Sequence, residues 1–424
     1  YHFWLEGARW QMLPLYLLAL ALIPSAIRRA NQPIVKIKRR GPLLGLLLLG
    51  LLSLLPILLP VPQFPQPRGP YAVGTTTFYW VDEQRAEVYA PQSNTPRRVM
   101  VQVWYPAVPG SSGVQAPFLP DGKLAARTLA SSFGFPPWFL EHFALAKTHA
   151  IINAAMAECL PTWPVLIFSH GWDGYRTQNT YQMEELASQG YVVFAPEHAY
   201  GALLTAYPQG EGIYNYPAAL PDGVPETEYL QAARVLGKSW VGDIRFTLRQ
   251  IEALQTGSLA SIFTKRLNLD QIGFFGHSTG GGAALEACAL EPNCRAVLGQ
   301  DPWLVPYDRQ LTLQPYPKAE LSIFSEGWRS QRNLPLLASF WENQPNGTQK
   351  MTILGTTHYD FTDVPLFSPI AHLFGVKGSI RANREIALLN DFLLGFFEKN
   401  LIQPDSARLQ EAISTYPEVQ VETR

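Results

Sequence analysis

The segment Gly276-His277-Ser278-Thr279-Gly280 sets a serine between two glycines, each two residues away. An apolar run, 271–275, leads into it, and a helix-forming run, 281–290, leads out. In that strand–turn–helix setting the glycines let strand and helix approach without Cβ clashes, and the turn pushes the serine oxygen outward. The helix start behind it favours negative charge. A serine hydroxyl is a poor nucleophile at neutral pH. It needs an imidazole to accept its proton and an acid to orient the imidazole. In this arrangement acid and histidine follow the serine in the chain. Only His358 and His372 lie downstream of Ser278. His358 stands in Gly355-Thr356-Thr357-His358-Tyr359-Asp360-Phe361, just after an apolar run, where a strand end would hold it over the serine. His372 is flanked by apolar residues and reads as a packing group. Two acids, Asp301 and Glu326, each follow a predicted strand directly, and the later position mildly favours Glu326. The residues alone leave that choice open. Asp360 and Asp363 stand too close to His358 along the chain to orient its ring easily.

An oxyanion formed at such a serine needs amide donors fixed in advance, worth about 3 kcal/mol or more each. Phe168-Ser169-His170-Gly171-Trp172-Asp173-Gly174 follows the apolar run 164–168 and supplies a His-Gly turn. By motif the donors are the backbone N–H groups of Trp172 and Thr279. His170 precedes the serine in chain order, which suits a structural hydrogen bond rather than the base. Glu197 and His198 read as a loop-fixing pair, with a metal site from His170, Glu197 and His198 as the rival. No metal and no cofactor is expected. His277, Trp303 and Tyr175 are expected to line the substrate pocket.

The elements that must position these groups alternate along the chain. Strands are predicted at 73–80, 98–105, 164–169, 191–195, 271–276, 295–300, 320–325 and 350–354. Helical patterns lie at 177–188, 239–254, 278–290, 327–341 and 383–400. Runs such as VLIFS, YVVFA and IGFFG are apolar throughout, as in strands covered on both faces. Such alternation implies a mostly parallel sheet between two layers of helices, with an antiparallel start where no helix separates the first two strands. Two stretches break the pattern, 111–159 and 200–238. Both are rich in Pro, Gly, Tyr and Phe and read as lid-like insertions in a catalytic domain of 71–402, with 403–424 as a tail. Their aromatic residues include Phe133, Phe135, Trp138, Phe139, Tyr200, Tyr207, Tyr214 and Tyr216, which suits an apolar or amphipathic acyl substrate.

The first 62 residues differ from the rest. Apolar stretches at about 12–27 and 43–61 flank a loop, 28–40, that holds six Lys and Arg and no acid. Lengths near 17–20 residues fit membrane-spanning helices, and basic loops stay cytoplasmic. The expectation is a transmembrane hairpin with an aromatic belt (Trp4, Trp10, Tyr16), then a stiff Pro-rich linker at 63–70. The catalytic domain would then lie on the extracytoplasmic face. With 33 Lys and Arg against 34 Asp and Glu, the chain has no basic surplus for nucleic acid. Three cysteines show no metal spacing; Cys288 and Cys294 are close enough to pair outside the cytoplasm, though free thiols are the alternative. Oligomeric state is not legible.

The segments GHSTGG, QDPW, TTHYDF and SHGWDGYRT resemble those of the platelet-activating factor acetylhydrolase family, of the plasma and intracellular type-II kind. The resemblance runs from about residue 71 to 400. It implies an α/β-hydrolase fold and places the acid in Asp301-Pro302-Trp303, so the implied triad is Ser278, Asp301 and His358, with Glu326 as the alternative acid. It implies hydrolysis of carboxylic esters, of the 1-alkyl-2-acetylglycerophosphocholine esterase kind, on short-chain acyl esters or short or oxidised-acyl phospholipids. The double apolar stretch departs from the family's animal members, and the insertions share little with their lipoprotein-docking parts, so the lipid substrate transfers less well than the fold. Alternatives are a cutinase-like polyester hydrolase or dienelactone-type hydrolase on the same fold, and a non-catalytic membrane protein with a degenerate hydrolase domain.

Overall fold

The computed structural model describes residues 7–30, 40–92 and 94–424. Thirteen strands form in these residues: β1 (Ala72–Ala86), β2 (Pro96–Ala107), β3 (Gln115–Pro117), β4 (Lys147–Ile152), β5 (Trp163–Ser169), β6 (Val192–Pro196), β7 (Leu204–Ala206), β8 (Gly212–Tyr214), β9 (Leu267–His277), β10 (Cys294–Gln300), β11 (Ala319–Ser325), β12 (Gln349–Ile353) and β13 (Val419–Thr423). Eleven join one sheet in the order β13-β12-β11-β10-β9-β5-β6-β2-β1-β4-β3. From β12 to β6 the neighbours run parallel, while β1, β2 and β6 pair antiparallel. All eight strands expected from the sequence are present.

The centre of the sheet is covered on both faces, which explains its uninterrupted apolar runs. Along β5, Leu166 and Phe168 point to one core and Val165 and Ile167 to the other. The first core is closed by α4 (Thr180–Ser188) and α9 (Ala382–Phe397). The second is closed by α5 (Glu226–Thr256) and α6 (Thr279–Leu290). Each large apolar side chain buried this way contributes roughly 1.5–3 kcal/mol relative to exposure, so the central strands form a firm base for the groups at their ends. Catalytic candidates sit at their C-terminal ends. Cys288 and Cys294 form a disulfide that ties the end of α6 to the start of β10.

Several expectations are corrected. Residues after 402 are no tail: α10 (Arg408–Thr415) packs on α9, and β13 pairs antiparallel with β12. The stretch 63–70 is extended but fastened. Phe64 is buried against Phe118, and Arg68 bonds Glu185 and Asp391 at 3.1 and 2.8 Å. The insertion 111–159 folds as β3, α3 (Gly122–Ser132), a 3-10 segment Pro137–Leu145 and β4.

The two N-terminal apolar stretches are helical, as α1 (Leu13–Ala30) and α2 (Arg40–Leu58). Among the described residues, however, no helix is long and apolar enough to cross a membrane, so the expected pair of spans is not met there. α1 contains Pro24 and takes in Arg28 and Arg29. α2 contains Pro56 and stops at Leu58, ahead of Pro60. Trp4 and most of the basic loop, 31–39, lie outside the described residues. Trp10 donates from Nε1 to the Phe139 carbonyl at 2.9 Å, and the Ser368 hydroxyl donates to the Leu58 carbonyl at 2.6 Å.

Candidate active site

β9 ends at His277 and α6 begins at Thr279, so the whole turn falls on Ser278. Its φ of 56° and ψ of −121° lie in a region costly for a residue with a side chain. The flanking glycines are required by contact rather than by φ. A Cβ on Gly276 would lie 2.4 Å from the Gly280 carbonyl oxygen, and one on Gly280 would lie 2.1 Å from the Ser169 oxygen. Packing of β5, β9 and α6 therefore holds the strained serine in place.

Asp301 follows β10 directly and is fully buried. Its carboxylate accepts from the Ser325 amide at 2.8 Å, the Ser325 hydroxyl at 2.6 Å and His358 Nδ1 at 2.9 Å. In the tautomer that donates Nδ1–H to Asp301, Nε2 is the acceptor nitrogen. Trp328 stacks on the same imidazole with centroids 4.5 Å apart and planes 14° from parallel. The stack fixes the plane of the imidazole from the side of the ring that Trp328 covers. Glu326, the alternative acid, is exposed and accepts from the Gly355 amide at 2.7 Å. It caps the strand end and bonds no imidazole.

Ser278 and His358 line one cavity of about 250 Å³ together with Gly171, Trp172, His277, Tyr175 and Phe133. Around the early turn the amides divide. Gly171 donates to the Gln178 side chain, Asp173 to the Gly201 carbonyl and Gly174 to the Gly171 carbonyl. Among the described residues the Trp172 and Thr279 amides have no protein acceptor. Of the expected pocket residues, His277 and Tyr175 are on the cavity wall, whereas Trp303 packs with Tyr229 and Val305 away from it. Of the aromatic residues in the two insertions, only Phe133 lines the cavity. Tyr200, Tyr207 and Tyr216 turn instead toward Tyr89, Tyr79 and Arg98, where ring stacking and a cation engage them. His372 is exposed and does not pack.

The turn from Ser169 to Gly174 rests on two buried polar networks. One is charged. The Ser169 hydroxyl meets His198 Nε2 at 2.9 Å, and His198 Nδ1 meets Asp243 at 3.0 Å. Asp243 also pairs with Arg97 at 2.6 Å and Arg85 at 2.8 Å, and Arg97 pairs with Glu87. Burial would raise the Asp243 carboxyl, but Arg97 and Arg85 hold it far below the usual carboxylate range. The other network is neutral. Asn179 donates to Gln182, Gln300 and the Phe361 carbonyl, and Gln178 donates to Asn179. His170 bonds the Gly171 carbonyl at 2.8 Å and accepts from the His198 amide at 3.1 Å, and burial keeps it neutral. Glu197 is taken by Arg176. His170, Glu197 and His198 are thus each engaged separately and do not gather around a common point. Donor atoms of His277, Asp301 and His358 come within 4.8 Å of one another, yet hydrogen bonds already claim them.

Sequence reasoning missed Gln178, Ser325 and Trp328. Ser325 had a readable signal, a polar residue at the end of the strand beside the acid. The other two lie in loops without a motif.

Residues 59–211 and 227–417 match the family described as platelet-activating factor acetylhydrolase, isoform II. The platelet-activating factor acetylhydrolase of Canis lupus familiaris is 26% identical over 269 residues, 56% of this chain and 57% of its own. The chain thus spans just over half the length of that relative. The Gallus gallus protein of the same name is 22% identical over 380 residues, covering 80% of this chain and 84% of its own. A probable 1-alkyl-2-acetylglycerophosphocholine esterase of Arthroderma benhamiae is 22% identical, with 84% and 92% covered. Among solved structures, a ferulic acid esterase from Streptomyces cinnamoneus superimposes with a TM-score of 0.69 at 23% identity, over 85% of this chain and 99% of that one. That likeness and the large, mostly parallel sheet are consistent with an α/β-hydrolase fold. With most of its length matched, the chain belongs to the platelet-activating factor acetylhydrolase isoform II family.

Proposed function

We propose that this protein hydrolyses carboxylic esters through an acyl-enzyme on Ser278, with His358 as base and Asp301 as orienting acid. The observation that carries the reading is the buried Asp301 carboxylate on His358 Nδ1 at 2.9 Å beside the cavity that Ser278 enters. His358 Nε2 accepts the Ser278 proton as the oxygen adds to the ester carbonyl. The resulting oxyanion is held by the Trp172 and Thr279 amides, reinforced by the start of α6. The imidazolium then protonates the leaving alcohol, and a water repeats the cycle on the acyl-enzyme. A cavity of about 250 Å³ with Phe133, Val364 and Phe367 on its wall favours short acyl groups. Ligand sites commonly run from about 300 Å³ upward. Substrates of this kind include short-acyl phospholipids, by analogy with the relatives.

The N-terminal helices are assigned to a lipid surface, with the catalytic body on the extracytoplasmic side. Leu46, Leu47 and Leu51 are at least 60% exposed on α2, an apolar surface that water does not favour. The Cys288–Cys294 disulfide suits an oxidising compartment. The test of the activity is a panel of p-nitrophenyl esters and short-acyl phospholipids, run with Ser278→Ala and fluorophosphonate labelling. Turnover that declines with acyl length and vanishes in the variant is expected. Turnover that persists in Ser278→Ala overturns the reading.

A further inference from the structure

Gln178 stands between the oxyanion turn and the turn that carries His358, and it is buried. Its Oε1 accepts from the Gly171 amide at 3.1 Å. Its Nε2 faces His277 Nδ1 at 3.1 Å and donates to Asn179 Oδ1 at 2.9 Å. His277 Nε2 lies 3.0 Å from the carbonyl oxygen of His358. Asn179 in turn donates to the Phe361 carbonyl at 2.7 Å, at the far end of the same turn. A carbonyl can only accept, so His277 must carry its proton on Nε2. Its Nδ1 must then accept, which fixes the Gln178 amide with nitrogen toward His277 and oxygen toward Gly171. Burial holds His277 neutral, well below its ordinary range, so this one tautomer persists. The side chain also needs room. A Cβ on Gly174 would lie 2.0 Å from Gln178 Oε1.

We infer that Gln178, acting through His277, is a positioning residue that locks the oxyanion turn and the His358 turn in register, so that acceptor nitrogen and oxyanion donors hold one geometry. The reason is chemical. Only a side chain that accepts at one end and donates twice at the other satisfies Gly171, His277 and Asn179 together. Gln178 touches no reacting atom in this scheme. It rests on the reading of Ser278, His358 and Asp301 given above, and it assigns work to a residue that no nucleophile or base motif marks.

The experiment compares Gln178→Met and Gln178→Glu with the unaltered full chain on a short-chain p-nitrophenyl ester. Met fills the volume and breaks every bond. It is expected to lower kcat roughly 30-fold, with KM within about threefold, because misplacement of order 1 Å can cost up to about a hundredfold in rate. The Gln178→Glu variant keeps the bond to Gly171 but cannot donate. One extra proton, on the introduced carboxylate or on His277, restores the string between them. The ratio of variant to wild-type kcat/KM should therefore rise at least fivefold as pH falls from 8 to 5.5. The other titratable groups near His277 are His358 and Asp301, with Asp173, Asp363, Tyr175 and Tyr359 on the cavity wall. They are common to both proteins, so the ratio cancels their own titration. A flat ratio, or a Met variant within threefold of wild type, overturns the proposal. Should the Met variant fail to fold, the ratio for Gln178→Glu decides alone. Activity surviving in Ser278→Ala would instead strike the underlying triad, and the two failures are read separately.

Discussion

The two buried networks beneath the oxyanion turn are built from opposite materials. Behind Ser169 the partners are ions: Asp243 sits among Arg97, Arg85 and His198, with Glu87 beyond. Behind Gly171 they are amides: Gln178, Asn179, Gln182 and Gln300, with neutral His277. Ions held in a dry interior bind their frame firmly, but each is costly if left alone. Amides bring no net charge. Placed near His358 and the Trp172 and Thr279 amides, they order the turns through hydrogen bonds that place no ion beside the imidazole. The division teaches that the frame behind Ser169 is fixed by charge, while the turns around the cavity are ordered by neutral hydrogen bonds, with the Asp301 carboxylate on His358 as the one ionic contact among the proposed catalytic groups.

The sharpest way to break this contrast lies at the acid itself. Asp301→Asn should lower kcat about 10⁴-fold, as a triad loses its correct tautomer, while Glu326→Gln stays within about twofold. Steady-state kinetics on a short ester reads both. If the Glu326 variant is the dead one, the acid is misassigned. The charged network comes next. Asp243→Ala leaves Arg97 with only the Glu87 carboxylate and Arg85 with only the Asp82 carboxylate and should cost about 3–5 kcal/mol of stability in denaturant unfolding, while kcat of the folded protein changes less than about fivefold. In the amide network the balance should reverse. Asn179→Leu leaves buried partners unsatisfied for about 1–3 kcal/mol and should cut kcat more than Asp243→Ala does. Equal rate losses in the two variants would dissolve the distinction.

The smallest effect concerns pH. Burial depresses the folded-state affinity of His170, His198 and His277 for protons. Their contribution to stability is therefore complete above the unfolded value near pH 6.5 and declines as pH falls below it, by at most about 1.4 kcal/mol per unit for each ring. Asp243, also depressed, keeps its contribution down to about pH 4, the unfolded carboxylate range. Unfolding curves between pH 7.5 and 5 should show a slope that His277→Gln reduces. An unchanged slope would mean that this ring is already protonated in the fold.

Much of this arrangement could be read from the residues. The eight principal strands were visible because a strand buried on both faces is apolar at every position, as VLIFS is. Ser278 was visible because Gly276 and Gly280 are steric requirements and so leave a mark in the sequence. The acid was not. Asp301 and Glu326 stand alike after parallel strands; the family resemblance implied Asp301, and the tertiary path of β11, which brings Ser325 onto Asp301, supplies the physical reason. The strands β3, β7 and β8 have three residues each, too few for a period to show, and β4 (KTHAII) mixes polar and apolar residues inside a stretch that reads as an insertion. β13 alternates between half-buried and exposed positions, an edge strand whose outer side carries no apolar signature. The tyrosines of 200–238 misled because an aromatic ring is equally suited to a substrate wall and to stacking on another ring, and Arg98 with Tyr89 claimed them.

Arg68 does more than close an ion pair. Thirteen residues separate the end of α2 from the start of β1, enough for a supple leash if left loose. With Phe64 sunk under Phe118 and Arg68 pinned to two helices, that slack is gone. The bearing of the catalytic mouth relative to α1 and α2 is then set once, at folding, and is not searched for on each encounter with substrate.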